Sequence, residues 1–336
     1  MAANPNYLDL FLDPLAELLR RPDVTDVFVN RPGEAWTETL GGALEHHELP
    51  TLTQPCLLRL ARQVAALTNQ GINRTHPLLS AKLPDGTRVQ IVIPPATRGD
   101  IAIAMRKQVA PKLTLADYDH AGAFDDVQSI EDQVRADDQL RVAYQASRWS
   151  KFLALAVRSK KTILISGGTS SGKTTFLNAL LREIDPAERL IFIEDTPEVV
   201  FSHPNAFGMV APRGETGEAQ ITTEDLLNAS LRMRPDRIIL GEIRGTEAFT
   251  FLRAVNTGHP GSMTTIHANS PTRALEQMAL LAVSGSSLRR DEVIEYAHSV
   301  IDVIVQLGRA AGKRRIQSIF YASGIGQSRV NSASQG

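Results

Sequence analysis

One stretch, Gly167-Gly168-Thr169-Ser170-Ser171-Gly172-Lys173-Thr174-Thr175, sets a run of small residues before one lysine and two threonines. It fits the pattern G-x-x-x-x-G-K-[ST] in full. Glycines let backbone N–H groups turn inward around a phosphate. A helix beginning near Lys173 points the positive end of its dipole at the same anion. Lys173 is then placed to reach the β and γ phosphates, and the Thr174 hydroxyl to hold Mg²⁺. ATP with Mg²⁺ is therefore the expected ligand of residues 167–175. The flanks agree: "TILIS" before the stretch reads as a strand and "TTFLNALL" as a helix.

Two later blocks supply acid. "RLIFIEDTPE" ends an apolar strand in Glu194 and Asp195, with Glu198 in the loop beyond, and "DRIILGEIRG" ends another in Glu242. Ligands of a doubly wound sheet sit at the C-terminal ends of its strands. One carboxylate must order Mg²⁺ or its water shell, and another must orient the attacking water. Glu242 is assigned to the metal side with Thr174. Glu194 is the first candidate for the water, with Glu198 close behind. Glu242 follows Gly241, where many phosphate-loop proteins carry aspartate. "SMTTIHAN" places His267 after another strand, where an imidazole could sense the γ phosphate; Gly258 and Gly261 suggest a mobile loop before it. Arg232, Arg234, Arg237 and Arg244 crowd the second acidic block and favour phosphate or subunit contacts. Each of these residues also has a plainer reading, as a strand-end acid, a structural histidine or a solvated arginine.

The elements that must hold these groups follow from periodicity. Residues 7–20 and 53–69 read as amphipathic helices, 25–30 and 35–40 as strands, and 78–95 as a hairpin turning at "PDG". With a strand at 100–107, this makes a small α+β N-terminal domain over 1–107. Residues 108–135 lack sustained periodicity and read as an inter-domain linker. From 136 to 323 a helix precedes alternating strands (161–166, 189–194, 207–211, 236–241, 262–266, 300–307) and helices (173–183, 223–233, 246–256, 271–284, 289–298). That alternation predicts an α/β domain with a parallel, doubly wound sheet. The small polar residues 324–336 are expected to be a disordered tail.

Composition narrows the class. The 336 residues are too many for one core, which favours two domains. A net charge of −1 gives no global case for nucleic acid or an anionic membrane. The one cysteine, Cys56, excludes an intrachain disulfide or a cysteine zinc site. No apolar run approaches the ~20 residues of a membrane span, and no secretory signal opens the chain, so a cytoplasmic location is expected.

Taken together, "GGTSSGKTT", "IFIEDTPE", "LRMRPDRIILGEIRG" and "TGHPGSMTTIHAN" resemble the traffic ATPases of bacterial secretion, in which they look like the Walker A motif, Asp box, Walker B motif and His box. The type II branch usually carries a four-cysteine zinc insert that this chain cannot supply. "VNRPGEAW", "LPDGTRVQIVIPP" and "IAMRK" look like the type IV secretion and conjugation branch, the VirB-eleven-like ATPases. The resemblance implies a RecA-like ATPase domain in a homo-hexameric ring, with ATP between the two domains of a subunit. Its turnover would move the N-terminal domain, to drive substrate export or pilus assembly. By position Arg88 and Arg106 match arginines that reach the phosphates from that domain. Implied partners are the other secretion-system ATPases and inner-membrane components, with the protein peripheral to the inner membrane.

Other readings stay open: a RecA-type nucleic-acid motor, a pilus assembly or retraction ATPase, or a non-hydrolysing switch. The first needs a basic channel and stacking aromatics, and the chain has 5% aromatics and no basic run interleaved with them. No sequence-specific nucleic-acid partner is expected.

Overall fold

In a computed structural model, the structure describes residues 5–322, apart from 109–113, 121, 123, 126, 128–129 and 212–217. The chain packs as two compact units. The first comprises residues 1–127 with 193–197 and 204–235; the second comprises 128–192, 198–203 and 236–336.

The first unit opens with α1 (Pro5–Leu12) and α2 (Ala16–Arg20), separated by a 3₁₀ turn over Asp13–Leu15. The sequence predicts one helix there. Pro14 breaks it, because proline donates no N–H and its ring crowds the preceding turn. Strands β1 (Val24–Val29), β2 (Glu34–Thr39) and β3 (Leu44–Glu48) follow, then α3 (Gln54–Leu67), β4 (Leu78–Lys82), β5 (Arg88–Val92) and β6 (Ala102–Arg106). They form a six-stranded sheet in the order β3-β2-β1-β6-β5-β4. Helix α3 starts at Thr53, whose hydroxyl accepts from Cys56 N at 3.4 Å. It buries Leu57, Leu60, Ala61 and Val64, at helical spacing, in the core that lines the sheet. The "PDG" turn is set by Asp85, which accepts from Thr87 N at 2.9 Å, and by Gly86 at φ +92°.

Then come α4 (Leu115–His120), α5 (Ile130–Gln145) and α6 (Trp149–Arg158), so the helix expected from 136 begins earlier. β7 (Ile163–Gly167), α7 (Lys173–Leu181), β8 (Leu190–Glu194), β9 (Ala206–Val210), α8 (Thr223–Ser230), β10 (Arg237–Ile243), α9 (Glu247–Asn256) and β11 (Met263–Ile266) alternate as the pattern predicts. Helices α10 (Pro271–Val283) and α11 (Arg290–Val300) and strands β12 (Val303–Ala310) and β13 (Lys313–Tyr321) complete the order. The second sheet runs β13-β12-β7-β11-β10-β8-β9. β12, β7, β11 and β10 pair in parallel, while β13 returns antiparallel on β12. Ile163, Leu164 and Ile165 on β7 and Ile238, Ile239 and Leu240 on β10 are fully buried, as parallel strands covered on both faces must be. The architecture is the expected RecA-like α/β domain with a smaller α+β domain before it.

Two strands, β3 and β13, are absent from the sequence reading. β3 is "LEHHE" and β13 begins "KRRIQS". Both lie at sheet edges, where polar and charged side chains are tolerated and the apolar alternation fades. The tail expected at 324–336 lies outside the described residues.

Candidate active site

β7 delivers the chain to the loop 167–172, and α7 leaves it. Gly172 sits just before the helix at φ +94°, with no side chain capping the helix, so the first amides of α7 are left for a ligand. Glycine is required at 167 for space: a Cβ there would lie 2.5 Å from Ser171 Oγ and 2.8 Å from Leu307 O. Ser171 Oγ is buried and has no hydrogen-bond partner. An unpartnered buried hydroxyl costs free energy unless a ligand completes it.

Lys173 reaches back over this loop. Its Nζ donates to Gly167 O at 3.1 Å, stands 3.5 Å from Glu242 Oε1, and lies 3.4 Å from both ring nitrogens of His267. Burial holds its ammonium below the usual lysine value, against the pull of Glu242. Glu242, on β10, is the anion around which Lys173, Arg244 and His267 gather. His267 Nε2 lies 2.8 Å from its Oε1, and Arg244 pairs with its other oxygen. Parallel pairing of β7 with β11 and of β11 with β10 brings these strand ends together.

The acids at the end of β8 and just beyond it part company. Glu198 Oε2 accepts from the Thr174 hydroxyl at 3.1 Å. Glu194 is 3% exposed and is bound by Arg98. Arg98 reaches it across Gly208, where a Cβ would meet Arg98 Cδ at 2.6 Å. Arg98 had no motif to announce it, and lies far from Glu194 along the chain.

Arg88 and Arg106 belong to the first unit. They face each other across β5 and β6 and line a cavity of about 550 Å³ with Lys82, Arg232, Arg234 and Asp26. Arg234 also pairs with Glu38. Arg237 takes no part in a ligand site. It is fully buried and gives its Nε and Nη2 to Glu188 at 2.8 and 2.6 Å.

Residues 12–319 match the type II/IV secretion system protein family. The chain belongs to that family. It is 38% identical over 326 residues to the type IV secretion system protein VirB11 of Bartonella quintana, covering 92% of this chain and 91% of the relative. It is 36% identical over 330 residues to PtlH of Bordetella pertussis, another type IV secretion system protein, at 95% and 96% coverage. Among solved structures, the VirB11 ATPase of the Brucella suis type IV secretion system, in complex with sulphate, superposes with a TM-score of 0.86 at 35% identity. That match covers 94% of this chain and 98% of the other. This family member is an ATPase, and its likeness lies with the type IV branch.

Proposed function

We propose that the protein hydrolyses ATP at the loop 167–175 and uses the turnover to drive a type IV secretion apparatus. The observation that carries this reading is the convergence of Lys173, Glu242 and His267 above an open helix N-terminus. Lys173, Arg244 and the amides opening the helix supply donors of the kind a polyphosphate requires.

Mg²⁺ fits the residues present. Magnesium keeps several waters and takes few protein oxygens beside those of the phosphates, so the Thr174 hydroxyl, with Glu242 acting through water, is a sufficient donor set. When bound it neutralises charge developing on the transferred phosphoryl group. Lys173 then binds the β and γ oxygens, the α7 amides hold the β phosphate, and His267 reports the terminal phosphate through Glu242. Of the two candidates for orienting the attacking water, Glu198 is favoured, since Arg98 occupies the Glu194 carboxylate.

Arg88 and Arg106 are proposed to bind the γ phosphate from the N-terminal unit, so that its loss changes how that unit is held. The assembly proposed is a homo-hexameric ring, peripheral to the inner membrane and working with the other secretion ATPases. No helix of the described residues is long and apolar enough to cross a membrane. The test is Lys173→Ala, with ATP turnover and nucleotide binding measured. Both should be lost, and near-normal hydrolysis would remove the site.

A further inference from the structure

The β12–β13 hairpin runs on past the phosphate loop. β12 pairs with β7 as far as Leu307 opposite Gly167, and continues to Ala310. Arg309, two residues beyond that last pair, donates from Nη2 to Ser170 O at 3.2 Å. Arg314 is its direct cross-strand partner on β13. The stem of Arg314 lies over the glycine that opens α7: a Cβ at Gly172 would sit 3.2 Å from Arg314 Cδ and 3.9 Å from its Nη1. Both arginines are exposed, and among the described residues neither has a carboxylate partner. Like charges directly opposite in an antiparallel pair repel. Two guanidiniums held so, beside open helix amides, are stabilised by an anion between them.

The sheet order assigns the end of the ligand they meet. Glu242 lies near the end of β10 and His267 just after β11, on one side of β7, whereas the hairpin stands on the other side. A nucleotide with its terminal phosphate at Lys173 and Glu242 runs away from those groups, toward the hairpin. We propose that Arg309 and Arg314 form a binding subsite for the α phosphate and adjoining ribose of the nucleotide. The subsite is blind to the γ phosphate, so it sets affinity for ATP and ADP alike and takes no part in sensing hydrolysis. This rests on the loop 167–175 being the nucleotide site.

The experiment is titration of ATP, ADP and inorganic tripolyphosphate into the full chain and its Arg314→Gln and Arg309→Gln variants, with Arg315→Gln as control. Arg315 neighbours Arg314 on β13, and its side chain takes the opposite face of the strand. Arg314→Gln should weaken ATP and ADP by the same factor, about tenfold for one charge-assisted contact. It should raise KM by a similar factor with kcat at saturation within about twofold. Tripolyphosphate keeps a phosphate at the α position but has no ribose, so its binding should weaken too, by no more than that of ADP. Arg309→Gln gives the same pattern and keeps the proposal testable if either variant folds poorly. Unchanged ADP affinity, a loss confined to ATP, or an equal loss in Arg315→Gln would overturn it. Failure of the underlying site shows differently: Lys173→Ala would then bind ADP as the wild type does.

Discussion

Strand β10 carries a cluster of charge at each end, and the two are built on opposite principles. At its start Arg237 is fully buried and saturated. Glu188 takes two of its N–H groups, and Val157 O and Gly261 O accept from Nη1 at 2.8 and 3.3 Å. Lys160 closes the pair from outside, 3.4 Å from Glu188. At its other end one carboxylate, Glu242, faces Lys173, Arg244 and His267. The first cluster has nothing left to bind. The second sets one carboxylate among a lysine, an arginine and an imidazole, beside helix amides and a buried hydroxyl without a partner. Charge of the same kind, on one strand, serves architecture where it is satisfied and chemistry where it is not.

The sharpest way to break this contrast is at the saturated end. Arg237→Ala leaves the largely buried Glu188 with Lys160 in place of its closer partner, and breaking such a buried pair costs about 3–5 kcal/mol. Urea unfolding should show a drop of that size. A change below about 1 kcal/mol would mean that the buried pair does not hold the fold.

The open end should respond in turnover. Glu242→Gln keeps the shape and removes the charge, so ATP should bind at least as tightly while kcat falls about 10²- to 10³-fold, the usual loss for a removed electrostatic group. Full turnover in this variant would dissolve the distinction between the two ends.

A smaller effect separates Glu194, at the end of β8, from Glu198 beyond it. Glu198→Gln should lower kcat about a hundredfold, within the range for general-base residues, and leave the unfolding midpoint in place. Glu194→Gln should act chiefly on stability, because it strands Arg98, whose own pKa burial already lowers. If Glu194→Gln instead abolishes turnover in a protein of normal stability, the roles are reversed.

The order proposed for Glu194 and Glu198 marks where sequence reasoning stops. The glycines and lysine of the loop, the acids at strand ends and His267 are legible, because local pattern and chemistry coincide there. Alternation of apolar runs likewise predicts the parallel strands, which are buried on both faces. What binds Glu194 is not legible: Arg98 carries no motif and meets it only through the close approach that Gly208 permits. Arg309 and Arg314 escaped for a related reason. They lie on an edge hairpin whose charged residues mask its strand period. Arg237 shows the converse error, since an arginine in an arginine-rich block looked like a surface contact until its burial was seen.

The smallest effect tests the open end in the protein without nucleotide. Burial lowers the pKa of Lys173, so the folded state holds that proton less tightly than the unfolded chain does. The charge therefore costs stability at neutral pH. Stability is regained as pH rises from the folded value toward the ordinary 10.5. Lys173→Met removes the cost while filling similar volume. At pH 7 this variant should melt at or slightly above the wild-type temperature, although it no longer binds ATP. The gap between the two should then close as pH climbs into the alkaline range. A gap that stays constant with pH, or a variant that melts well below the wild type, would place Lys173 with Arg237 among the residues that hold the fold. A closing gap means that the ammonium is kept in the loop at a cost in stability, which the phosphates repay on binding.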